Sequence, residues 1–183
     1  MSKLRFATKQ KVIELGLAFL DGAGAGHVCK VCIASGGSCC QSCIFLKEGA
    51  GCQKRNTSCT AWLCGFLKYI LYEAGMLHDW EAFWEQVPGQ KFREDETPPF
   101  FPVDRWLDAP DVVFLSQAFV EDLNMLLPSR NMLWIHELKE TLDRYVDKIM
   151  DSGDPETVRK VEKKIDYMMA DFRHFRTALE RLA

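Results

Sequence analysis

Eight cysteines fall between Cys29 and Cys64, and the rest of the chain has none. They are Cys29, Cys32, Cys39, Cys40, Cys43, Cys52, Cys59 and Cys64. Two CxxC steps are embedded in the run, Cys29/Cys32 and Cys40/Cys43. Such a step lets two thiolates turn toward one point, which is why it recurs in tetrahedral sulfur sites. The chemistry this suggests is metal ligation first and dithiol redox second, ahead of inert buried thiols. The opening residues hold no apolar stretch long enough for a signal peptide, and no apolar run approaches the ~18 residues that span a bilayer. A cytoplasmic chain with no membrane association is the expectation. In that reducing compartment eight cysteines favour metal over four disulfides.

Two ligand schemes compete. In one, Cys29, Cys32, Cys40 and Cys43 make a zinc site, the loop between the CxxC steps turning back at Gly36-Gly37. Cys39, Cys52, Cys59 and Cys64 are then a second site or free thiols. In the other, dispersed ligands such as Cys43, Cys52, Cys59 and Cys64 hold an iron–sulfur cluster. Cys59 at a helix start suits a thiolate, because backbone amides and the helix dipole favour its charge. Cys59 and Cys64 on one continuous helix, however, point about 140° apart and cannot both face one metal. Adjacent Cys39 and Cys40 diverge, so one ligates and the other lies behind the ligands or belongs to another site.

The region resembles the bacterial zinc- or iron-chelating cysteine-cluster family. The matching elements are Cys29-x2-Cys32, Gly37-x-Cys39-Cys40, Cys43-Ile-Phe-Leu46, Gly51-Cys52 and Arg55-x3-Cys59. The chain departs from the family pattern where Ile44 and Asn56 replace prolines, where an insertion follows Cys32, and where the step from Cys52 to Cys59 is short. The resemblance implies chelation of zinc or iron and no established reaction.

Charge is divided unevenly. Residues 1–64 carry eight Lys/Arg against three Asp/Glu, and residues 65–183 carry fifteen against twenty-three, for a net of −3 over the chain. Lys30, Lys47, Lys54 and Arg55 lie among the cysteines and offset the negative charge of a thiolate centre. With no basic stripe interleaved with aromatics, nucleic acid is not an expected partner. His27 beside Cys29 is a ligand candidate, behind the reading as a lone exposed loop histidine; His78, His136 and His174 have no ligand spacing, and no Ser/His/Asp set, nucleotide loop or paired-carboxylate motif stands out.

The elements that must position these residues read as mainly α-helical: a helical bundle with a loop-rich, metal-stabilised cysteine module near the N-terminus. Residues 1–26 are a helix over 4–20 and a Gly-rich linker, 27–64 the metal-binding module, and 65–183 the bundle. Apolar residues at 48% and charged residues at 27% suit a packed core. A helix is expected from Cys59 to about Gly75, and a short one from Asp79. Residues 88–110 form a long aromatic-bearing connection that crosses a helix face or acts as a lid. Three more helices follow: from Ala109-Pro110-Asp111 to about Leu127, from Ser129 to about Asp151, and from Asp154-Pro155-Glu156 onward. In the last, Val158, Val161, Ile165, Met168, Phe172, Phe175, Leu179 and Leu182 recur at alternating intervals of three and four. This 158–182 face is core of a helical hairpin, ahead of a seam for a protein partner or a homodimer. Three functions are open: a thiolate metal protein binding zinc or an iron–sulfur cluster, a thiol–disulfide enzyme, and a helical adaptor with the metal as staple.

Overall fold

A computed structural model describes residues 5–37, 43–47, 51–52, 55–91, 94–131 and 133–182. The chain is mainly helical. It opens not on a helix but on a strand, β1 (Arg5–Thr8), antiparallel to β6 (Phe100–Val103) with Ala7 opposite Phe101. Thr8 ends the strand and caps α1 (Lys9–Gly22), its hydroxyl accepting from the Lys11 amide at 3.0 Å. Part of the connection expected over 88–110 is thus sheet. It holds the short pair β4 (Gln90–Lys91) and β5 (Glu94–Asp95), and it then buries Phe101, Val103 and Leu107 in the core.

The Gly-rich stretch after α1 is a tight turn. Gly24 takes a left-handed φ of 76°, and α2 (Ala25–Ala34) leaves at 77° to α1. The buried Ser116 hydroxyl fixes this corner by donating to Ala23 O at 2.6 Å. Cys29 and Cys32 therefore ride on a helix, where a loop was expected. A two-residue pair follows, β2 (Leu46–Lys47) with β3 (Gly51–Cys52).

The helix expected from Cys59 is two helices, α3 (Thr57–Ala61) and α4 (Gly65–Glu73), with Trp62 and Cys64 extended between them. Next is α5 (Leu77–Glu85), which buries Trp80, Phe83 and Trp84. Three longer helices complete the bundle: α6 (Val113–Leu126), α7 (Trp134–Met150) and α8 (Pro155–Met168). A short 3₁₀ turn containing Pro128 closes α6. The Asp154 start is as expected, its carboxylate accepting from the Glu156 and Thr157 amides. The first expected boundary, at Pro110, precedes the helix proper by several residues because Val112 N donates to Gly22 O and holds the chain extended against α1.

α4 is the central helix, burying Phe66, Leu67, Tyr69, Ile70 and Leu71. It lies along α7, which presents Ile135, Leu138, Leu142, Val146 and Ile149. Lys68 spans the same contact through ion pairs of 2.6 Å to Asp143 and Asp147. α7 turns back into α8, whose Val161 and Ile165 are buried. The apolar stripe then outlives its helix. The chain breaks at Met169–Phe172 and resumes as α9 (Arg173–Leu179), so Phe172 and Phe175 pack on Phe119 of α6 and not on α7. Val28 and Cys64 belong to the same core cluster as Phe119 and Ile165. Among the described residues no single helix is long and apolar enough to cross a membrane.

Candidate thiolate site

Asn56 starts α3 by accepting from the Cys59 amide at 2.7 Å. A five-residue helix is too short to hold itself, and buried polar contacts fix it instead. Thr57 donates its hydroxyl to Asp95 Oδ1 at 2.8 Å and its amide to Oδ2 at 3.2 Å, while Thr97 sits 2.7 Å from the same hydroxyl. Lys9 pairs with Asp95 at 2.7 Å. Burial pushes the Asp95 carboxyl up, but Lys9, the Thr57 hydroxyl and the amides of Thr57 and Thr97 outweigh it and hold the group down at about 2.

The folded pKa lies below that of the unfolded chain, so Asp95 stabilises the fold above the ordinary carboxylate range. That contribution is lost as pH falls toward about 2. Asp95→Ala leaves buried Thr57 and Thr97 short of partners, a cost of roughly 1–3 kcal/mol. Thermal melts of both proteins from neutral to acid pH should show a difference that is constant above the carboxylate range and shrinks below it. A difference independent of pH would mean that Asp95 acts by packing alone.

Beyond α3 the chain is extended through Trp62 and Cys64, and Trp80 Nε1 fastens the break by donating to Ala61 O at 3.1 Å. Cys64 then occupies the N-cap position of α4. That position is at the positive end of the helix dipole. The break also removes the angular objection to pairing Cys59 with Cys64. Both line one cavity of about 240 Å³, and Cys29 of α2 lines it as well. Leu17, Leu20 and Leu67 form an apolar wall, with Arg55 and Asp21 supplying the charged groups.

Cys32 lies one turn along α2, buried, with the Lys139 ammonium 4.0 Å from its sulfur. Three residues earlier on α7, His136 Nε2 lies 3.1 Å from Ser35 O at the end of α2. Sequence reading passes over Lys139 and gives His136 no role at the cysteines, because nothing in α7's spacing shows that its polar side meets the CxxC helix. Cys43 is half-buried ahead of β2, and Cys52 lies on β3 opposite Leu46. Cys39 and Cys40 lie outside the described residues, so the first ligand scheme cannot be placed whole.

Among the described residues no three His, Cys, Asp or Glu side chains form a closed set for a metal ion. The residues nonetheless fit a thiolate centre in kind, since three cysteines from three separate elements line one cavity together with Arg55. Comparisons with family models, with curated proteins and with solved structures find no match to this chain.

Proposed function

We propose that this protein binds a metal through cysteine thiolates, with Cys29, Cys59 and Cys64 as its principal ligands and zinc or an iron–sulfur cluster as the bound species. The observation that carries the reading is the shared cavity. Its cysteines are separated by up to 35 positions in the chain, yet α2, α3 and the N-cap of α4 bring them together. Inert buried thiols do not need a helix N-terminus and an arginine beside them. Cys32 and Cys43 are candidates for a further ligand, and Cys39, Cys40 and Cys52 supply the rest of the sulfur. Resemblance to the chelating cysteine-cluster family points to the same chemistry. Zinc would supply a structural clamp and a cluster one-electron transfer. Arg55 offsets thiolate charge in either case.

The test is metal and labile sulfide content, with an absorption spectrum, on untagged protein purified without oxygen. Zinc without colour, or iron with matching sulfide and a broad band near ~400 nm, is the expected result. Cys64→Ser and Cys59→Ser should each lose most of the bound metal. Metal-free protein whose eight thiols all titrate freely would overturn the proposal. Reversible loss of two thiols without metal would instead select the dithiol reading, for which Lys139 beside Cys32 is the supporting contact.

A further inference from the structure

Away from the cysteines, an open groove of about 610 Å³ lies between α6 and α9. Its α6 wall is Phe114, Gln117, Ala118, Glu121 and Met125, and residues at these intervals share one helix face. The facing wall carries Arg173, His174, Thr177 and Arg181, again at one-face spacing. The α6 wall thus carries apolar side chains at both ends, Phe114 at one and the 65% exposed Met125 at the other, and the facing wall carries two arginines.

The imidazole of this wall is held in place. Asp122, buried on α6, accepts from the amides of His174 and Phe175 at 3.2 and 2.8 Å, and so caps α9 from another helix. The same carboxylate lies 2.7 Å from His174 Nδ1. With Nδ1 committed to Asp122, the ring presents Nε2 to the groove, where Glu121 stands 3.5 Å away. The hydrogen bond that His174 donates to Asp122, with help from the charge of Glu121, outweighs desolvation and raises the imidazole pKa above its ordinary value. Among the described residues Arg173 and Arg181 make no ion pair, so two guanidiniums face solvent beside the fixed imidazole. Glu121 is the single acid of the lining.

We propose that this groove binds a small organic anion at its Met125 end, its phosphate or carboxylate head on Arg173 and His174 and its apolar part on Met125, with Arg181 adding positive charge farther along the same wall. Guanidinium forks and an imidazole N–H suit a planar or tetrahedral oxyanion, and the charge excess along α9 favours a dianion over a monoanion. The site is separate from the cysteine cavity, and none of its residues lines that cavity.

The test uses phenyl phosphate as probe, with inorganic phosphate and phenol as controls, followed by NMR of the Met methyl and His ring resonances of the full chain. Saturable shifts of Met125 and His174 are expected with phenyl phosphate, at an affinity at least tenfold better than with either control. The double variant Arg173→Gln/Arg181→Gln changes two exposed side chains and should weaken binding at least tenfold while leaving the melting temperature unchanged. The affinity should fall as pH rises through the His174 transition, which Asp122 and Glu121 from α6 and Arg173, Arg176 and Arg181 from its own segment all influence. Absence of a saturable shift, or undiminished binding by the double variant, would overturn the site. Equal affinity for inorganic phosphate would overturn the amphiphilic assignment.

Discussion

Phe119→Ala should destabilise the protein by about 3–5 kcal/mol, the usual range when a large aromatic side chain is removed from a closed core. Phe119 is fully buried, and four rings surround it: Phe172 at 5.0 Å, Phe175 at 5.3 Å edge-on, Phe66 at 5.4 Å and Tyr69 at 6.3 Å. These rings come from α4, from α9 and from the turn before α9. The substitution therefore loosens three segments at once, and none of them can collapse into the cavity without dragging its helix. At about 2–4 °C per kcal/mol for a chain of this length, the melting temperature should fall by on the order of 10 °C. Phe6→Ala serves as the control. Phe6 is 70% exposed, so its loss should stay within about 0.5 kcal/mol. Chemical denaturation of both variants decides it, and similar costs for the two would show that the aromatic cluster is not the centre of the core.

That cluster marks the limit of what the chain reveals by itself. The stripe from Val158 to Leu182 is visible in the sequence, but its spacing cannot show that it changes partner. Its first half packs in the α7–α8 hairpin, and its second, after the break at Met169, on α6. Signals that act within a few residues are legible. Asp154-Pro155-Glu156 starts a helix because the cap, the proline and the acid all act within one turn. Signals that need a distant partner are not. Arg5–Thr8 is a strand only because Phe100–Val103 lies beside it, and alone its residues extend an apolar helix pattern. α2 is hidden for another reason. Its glycine, its β-branched residues and its cysteines weaken local propensity, and the helix is held by burying Ala25, Val28 and Cys32. The candidate site follows the same division. Its donor type is plain from eight clustered cysteines, whereas the grouping of Cys29 with Cys59 and Cys64 depends on a helix break between Ala61 and Gly65.

That break is enforced from outside, which makes Gly65→Ala the most informative single change at the site. A Cβ at Gly65 would overlap Lys139 O and fall 2.8 Å from Asp143 N and 2.9 Å from Asp143 Cβ. Two of these three atoms are backbone of α7, so no rotamer change relieves the overlap, and α4 must back away from α7. Alanine at a helical position otherwise gains up to about 1 kcal/mol over glycine. Here overpacking should reverse the sign and leave a net cost of roughly 1–3 kcal/mol or more. The displaced segment begins at Cys64, and the carbonyl that displaces it belongs to Lys139, whose ammonium reaches Cys32. Stability and thiolate geometry should therefore fail together, with metal retention falling in parallel with the melting temperature. Gly153→Ala supplies the baseline, because a Cβ there meets nothing within 4 Å. If Gly65→Ala melted no lower than Gly153→Ala, α4 would not be seated on α7 at backbone contact. If it melted lower yet kept its full metal content, Cys64 would not be a ligand whose place depends on that contact.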